Sequence, residues 1–166
     1  YMEEKLPYSR NMKRKIRKSK EIGFKIQKSQ DYEKFMQIEE KRLDEKYRIK
    51  PTHTGNEIKL LASKFPDNIK LFTAEKDGEI YGGVIIFEGE NIAHGQYQAS
   101  TDEGLNLNCN DLIFDYLIGG YYKNKKYFDF GISNEKNGLY LNKGLIHYKS
   151  QFGAHAVVHD FYKLEI

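Results

Sequence analysis

The sequence predicts an α+β domain, a mixed sheet flanked by helices, and three observations predict it. Apolar residues recur at helical spacing as far as Lys64. Three runs between Ile69 and Ala99 are rich in β-branched and aromatic residues, with short turns between them. The remainder then alternates helix, strand, helix, strand. The first helix covers residues 10–20, with Met12 and Ile16 on one face, Ser9 as its cap and Gly23 near its end. A short strand, 24–27, leads into a helix from about Asp31, in which Tyr32, Phe35, Met36, Leu43 and Tyr47 repeat near helical spacing and which Pro51 closes. Residues 56–64 form a third helix, with Ile58, Leu61 and Ala62 on one face and Pro66 just beyond. Residues 69–75, 80–88 and 91–99 are the strands of an antiparallel meander, joined at Asp77-Gly78 and at Gly89-Glu90-Asn91. Residues 107–122 return to helix, with Cys109, Leu112, Ile113, Tyr116 and Leu117 at amphipathic spacing. A strand at 127–130 follows, then a helix at 139–152 with Leu141, Leu145, Tyr148 and Phe152 on one side, and a last strand at 156–164.

Composition bounds the function. With 166 residues and 39% hydrophobic content there is room for one domain with a real core. The net charge of +3 is too mild to demand a polyanionic partner, but it is polarised: residues 1–50 carry 16 basic and 9 acidic side chains, the rest 11 and 15. One cysteine, Cys109, excludes an internal disulfide and suits a reducing compartment. The longest strongly apolar run, 84–87, is far below the roughly 20 residues of a membrane helix. The chain therefore reads as soluble and cytoplasmic. It opens on Tyr1, which is read as the start of a piece of a longer protein.

Three features invite a chemical reading. His155 and His159 stand four apart on a strand, where that spacing spans about 13 Å, so one metal ion could not touch both; no HExxH pattern is present, and no metal is expected. Between Arg10 and Lys20 stand seven cations and no acid, which is either a grip for phosphates, with Arg14 and Lys18 central to it, or a solvated face. Residues 102–111 (DEGLNLNCND) lie between a strand and a helix. A helix start there aims free amides outward, as a pyrophosphate requires, or is simply capped by Asn106 or Asn108. No GxGxxG and no Walker lysine accompanies it.

The last forty residues add a resemblance. YFDFGIS at 127–133, NGLY at 137–140 and GLIHYKSQFGA at 144–154 resemble the closing signature of FemAB-like members of the GNAT acyltransferase superfamily, and SRNMKRKIRKSKEIG at 9–23 is similar to that family's opening basic helix. The order of elements from Ile69 onward is also the superfamily's. The resemblance implies a GNAT-like fold with helices on both faces of a twisted mixed sheet, in three layers. Its antiparallel meander is followed by two parallel strands that splay apart, here 91–99 and 127–130.

The resemblance implies an N-acyltransferase moving an acyl group, acetyl in the first reading, from acyl-coenzyme A to an amine of a small molecule or of a cell-wall or polysaccharide precursor. Tyr97, Gln98, Ala99 and Ser100 would then face the donor's pantetheine arm, with the pyrophosphate near Gly104, Asn108 and Asn110. The superfamily's usual Q/R-x-x-G-x-G/A loop is absent. Tyr148 stands where many acetyltransferases protonate the departing thiolate, although it shares its helical face with core residues. Asp129, at the splay point, is either the base that takes the amine's proton or an acceptor for backbone amides. Ser133, Asn134 and Lys149, together with Arg14 and Lys18, are candidates for substrate contact. Two alternatives stay open: aminoacyl-tRNA-dependent transfer in peptidoglycan bridge formation, although the coiled-coil arm of such proteins is missing, and a non-catalytic binding half-domain partnered by a second GNAT-like domain.

Overall fold

The computed structural model describes residues 2, 3, 5–158, 160 and 162–164. In chain order the elements are α1 (Arg10–Glu21), β1 (Lys25–Ser29), α2 (Tyr32–Tyr47), α3 (Gly55–Lys64), β2 (Ile69–Lys76), β3 (Glu79–Glu88), β4 (Ile92–Ser100), α4 (Asp102–Asn106), α5 (Cys109–Tyr116), β5 (Tyr127–Asp129), β6 (Asn134–Glu135), β7 (Tyr140–Leu141) and α6 (Lys143–Ser150). The main sheet runs β1-β2-β3-β4-β5 and is antiparallel except for the parallel pair β4–β5, while β6 and β7 form a separate hairpin. This is the predicted mixed sheet with helices on both faces.

Each face of the sheet carries its own core. Phe72, Ala74, Val84, Ile86 and Ala93 point one way and pack with Met12 and Ile16 of α1, Ile113, Phe114 and Leu117 after β4, and Phe152. Leu71, Ile85, Tyr97 and Ala99 point the other way, against Tyr32, Phe35 and Met36 of α2 and Ile58 and Ala62 of α3. Local chemistry fixes the ends of the helices: Ser9 caps α1 through the Met12 amide, and Thr54 with Glu57 forms a capping box on α3. Asp77 and Gly78 both take positive φ, as a tight hairpin between right-twisted strands needs.

Three expected elements differ. The helix at 107–122 starts two residues late, at Cys109, because Asn108 takes a left-handed conformation (φ 57°) between α4 and α5, and its last turn, residues 117–121, widens into a π-type turn. The helix at 139–152 shrinks to α6. Lys136, Asn137 and Gly138 all have positive φ and turn the chain into the β6–β7 hairpin, so Leu141 is 44% exposed rather than on the face of Tyr148, and Asn142 caps α6 instead. The described residues of 156–164 carry no strand. His159, half of the dismissed histidine pair, lies outside the described residues, as does Tyr1. Tyr47, 43% exposed, falls outside the core.

Candidate active site

β4 and β5 pair over three residues only: Ile92 with Tyr127, Ala93 with Phe128 and His94 with Asp129. Beyond that point two local features drive the strands apart. On β4 the pairing with β3 jumps from Ile85–Tyr97 to Ile86–Gly95, so Gln96 is an extra residue that kinks the strand. After β5, Gly131 takes φ +75°, its amide donates to an Asp129 carboxylate oxygen at 2.8 Å, and the Lys149 ammonium of α6 donates to the Gly131 and Ile132 carbonyls at 2.8 and 2.6 Å. The stretch from Gly95 to Ser100 is therefore paired to β3 on one edge and to no strand on the other, among the described residues.

A hydrogen-bonded histidine–carboxyl pair marks the apex of this fork. His94 Nδ1 lies 2.7 Å from Asp129 Oδ2. That hydrogen bond is the main cause raising the His94 pKa and lowering that of Asp129, with the Gln96 side chain also favouring the protonated ring and the Gly131 amide the ionised carboxyl. Burial lowers the Lys149 pKa, against the pull of Asp129.

The two faces of the opening differ. On the α5 face the Tyr148 hydroxyl donates to Asp111 Oδ1 at 2.8 Å, while Asp111 Oδ2 is buried without a hydrogen bond and has the Lys15 ammonium 3.7 Å away. Burial raises the Asp111 pKa, with Tyr148 and Lys15 opposing; burial and then the Asp111 charge hold the Tyr148 phenol well above its ordinary range. Next to it the buried Cys109 thiol donates to Ser100 Oγ at 3.5 Å, and desolvation pushes its pKa up to about 11, which keeps it a neutral packing group. On the α2 face the Tyr97 hydroxyl stands 2.6 Å from His53 Nδ1, and His53 lines a polar cleft of about 170 Å³ with Glu33, Gln37 and Glu40.

The turn after β4 is acidic. Thr101 Oγ1 accepts from the Gly104 amide, and Asp102 and Glu103 stand exposed in the first turn of α4, Asp102 held by Arg42 Nη1 at 2.7 Å. Asn108, at the start of α5, makes no side-chain cap, and Asn110 Oδ1 accepts from the Cys109 thiol at 3.8 Å. Asp129 and Lys149 stand at the closed end of the fork, and Gln98, Ala99 and Ser100 lie further along its open edge on β4, with Tyr148 on one face and the Tyr97 ring on the other. Gly104, Asn108 and Asn110 follow at the end of β4. Ser133 and Asn134 lie on the arm leading to the β6–β7 hairpin. Arg14 and Lys18 are exposed on the outward side of α1, Arg14 bonded to Asn11. His94, Asp111 and Lys15 were not among the expected residues. The partner of His94 appears only once the β4–β5 register is known, and that of Asp111 and Lys15 only once α1 and α6 are packed against α5.

A family model described as acetyltransferase (GNAT) domain matches residues 8–150. The chain belongs to the GNAT acetyltransferase family. Solved structures agree on the fold. FemX superposes with a TM-score of 0.67 at 12% identity, over 88% of this chain and 54% of its own. A possible acetyltransferase from Clostridium difficile 630 gives 0.63 at 10% identity, over 86% and 97%, and an aminoglycoside acetyltransferase from an uncultured soil metagenomic sample, in complex with sisomicin, gives 0.60 at 14%, over 87% and 99%. The chain spans about half the length of FemX. No curated protein matches the chain. The family match and these superpositions agree on a GNAT fold of the FemAB-like type. No helix among its described residues is long and apolar enough to cross a membrane, and no three His, Cys, Asp or Glu among them are grouped to hold a metal ion.

The open edge of β4 suits the amide-bearing arm of an acyl-coenzyme A, since its unpaired backbone groups can be matched by amides. The diphosphate end fits less closely. Asp102 and Glu103 disfavour it at α4, which leaves the uncapped start of α5, Asn108 to Asn110.

Proposed function

We propose that this GNAT domain transfers an acyl group from acyl-coenzyme A to an amine of a small molecule or of a cell-wall or polysaccharide precursor. The fork carries the reading: six residues of β4, Gly95 to Ser100, present an unpaired edge next to the His94–Asp129 pair. The donor supplies an activated thioester. The backbone of Tyr97 to Ser100 holds its arm, and Gly104, Asn108 and Asn110 lie toward its phosphates. Backbone amides of β4 polarise the acyl oxygen. Asp129, steadied by His94 and the Gly131 amide, takes the proton of the acceptor amine directly or through water. Tyr148 supplies the proton to the leaving group, its hydroxyl turning away from Asp111, whose charge opposes that transfer. Lys149 holds the arm that carries Ser133 and Asn134 toward the acceptor. In this reading residues 1–166 are one domain that works beside a second GNAT-like domain.

Calorimetric titration with acetyl-coenzyme A tests it. Saturable binding of about one equivalent, lost when Gln98, whose backbone amide faces the open edge of β4, is replaced by proline, is the expected result; absence of binding rejects the donor. A specific observation favours a second donor, aminoacyl-tRNA. Arg10, Lys13, Arg14, Arg17 and Lys18 are all exposed on α1, and the first turn of α4 is acidic. Binding of tRNA that weakens steeply with salt, combined with silence toward acetyl-coenzyme A, would select that donor.

A further inference from the structure

α2 turns one carboxylate toward the sheet. Tyr32, Phe35 and Met36 are buried in its first turns, and Glu39 continues the same stripe, only 7% exposed. Neighbouring charges on the helix are partnered: Glu33 by Lys59, Glu40 by Lys50, Arg42 by Asp102 and Glu45, Asp44 by Arg48. Glu39 has no hydrogen-bond or ion-pair partner among the described residues, and burial by itself pushes its pKa up to about 7. Its carboxyl oxygens keep a little solvent contact, so the group is mostly buried yet reachable; a carboxylate so placed without a partner is costly to keep, and ionisable groups of this kind concentrate at functional sites.

Its place follows from its neighbours along the helix. The Phe35 ring lies against Gly83 of β3, whose partner on β4 is Ala99. Arg42, three residues after Glu39, reaches Asp102 just past the end of β4. Glu39 falls between them, on a helix that packs against β4. It therefore stands over the last third of β4, on the face opposite Tyr148 and α5. That third is the part left unpaired by the departure of β5. From His94 to Ala99 the strand advances on the order of 15 Å, so a single nitrogen cannot meet both Asp129 and Glu39.

We infer that Glu39 anchors the acceptor by pairing with a positive charge other than the amine being acylated, so that the preferred acceptors are amines carrying a second cationic group. The inference rests on the reading of the fork as the acyl-transfer site. Other charges flank the anchor, namely Arg42 on α2 and Asp102 on α4, and they already satisfy each other.

The test compares spermidine with n-butylamine as acceptors, following thiol release from acetyl-coenzyme A, in the wild type, Glu39→Gln and Glu39→Asp. The wild type should favour spermidine by at least about tenfold in kcat/KM, mainly through KM. Glu39→Gln should bring the two amines to parity, and Glu39→Asp should recover part of the preference. No preference in the wild type, or a preference that survives in Glu39→Gln, overturns the inference. If neither amine is acylated, the proposed donor and acceptor reading fails, and the anchor is judged separately by thermal shift with spermidine alone. A stabilisation lost in Glu39→Gln then supports it, and a stabilisation that is absent or unchanged in the variant overturns it.

Discussion

Replacing Glu39 by glutamine should make this domain more stable at alkaline pH than at acid pH, relative to the wild type, and the size of the effect follows from burial. The carboxyl moves from an ordinary value of 4.5 to about 7 in the fold. Two and a half pH units of differential protonation correspond to about 3 kcal/mol. The sign is set by the direction of the shift: the folded state holds this proton more tightly than the unfolded one. Below pH 4.5 the group is neutral in both states and costs nothing as a charge. Between 4.5 and 7 the unfolded chain ionises first, so stability falls as pH rises, and above 7 the full penalty stands. Glutamine carries no such penalty, although burying its amide has a cost of its own that does not depend on pH. The informative quantity is therefore the difference between the two proteins at pH 8 minus that at pH 4, measured by urea or thermal unfolding. About 3 kcal/mol at this chain length is on the order of 5–10 °C in melting temperature. Parallel pH profiles for the two proteins would refute the reasoning, since they would mean that the carboxyl is already compensated in the fold.

Three further outcomes are expected. Tyr148→Phe removes the donor to Asp111 Oδ1 and leaves that buried carboxyl facing only Lys15 at 3.7 Å, so the urea midpoint should fall by the equivalent of about 1–3 kcal/mol, together with the transfer rate; an unchanged midpoint would show that Asp111 is satisfied otherwise. Asp129→Asn should bring the His94 pKa, read by NMR titration, back down toward the ordinary histidine value; the stabilising pair in the wild type is fully present below about pH 6.5 and fades as pH rises through the raised folded value, a fade the variant should lack. Gly153→Ala should cost well over 1 kcal/mol, because Gly153 has φ +78° and an added methyl would overlap the Leu6 carbonyl, whereas Gly23→Ala, at φ +84° but with open space around it, should cost only about 1 kcal/mol; equal melting temperatures for the two variants would contradict this.

Periodicity and turn chemistry located most of the fold, because those signals are local. α1 with its Ser9 cap, the meander and its Asp77-Gly78 turn, and the fork strands are all legible in the residues. The misplaced elements turned on backbone conformations that single residues adopt. Asn108 delays the start of a helix expected from residue 107, and Asn137-Gly138, a strong hairpin signal, was passed over beside a helix expected from Leu139. The site was less legible for a different reason. His94 and Asp129 are 35 residues apart, and only the parallel register places one beside the other. Asp111 reads as an ordinary helix-start residue until α6 brings Tyr148 to it. Glu39 was passed over although its position four after Phe35 puts it in an apolar stripe, where a carboxylate is an anomaly visible in the residues themselves.

The asymmetry of the two faces bears on how a transfer reaction could be organised here. On the α5 side, Lys15 and Lys20 are committed inward to Asp111 and Asp115, so what α1 offers to solvent is a row of cations without an ion-pair partner among the described residues: Arg10, Lys13, Arg17 and Lys18. A donor that carries phosphates is attracted to that side. On the α2 side Glu39 is the only buried charge without a partner among the described residues, while residues 32–64 carry eight basic and six acidic side chains and Asp102 is already held by Arg42. A cation therefore gains a partner there only at Glu39. The open edge of β4 lies between the two, so a polyanionic donor and a cationic acceptor would be sorted to opposite sides of the same strand before either is positioned by hydrogen bonds. Long-range sorting of this kind is screened by salt, whereas pairing at the buried Glu39 is screened far less. Rising ionic strength should therefore weaken donor affinity more steeply than acceptor affinity, a difference that a domain with equally charged faces would not show.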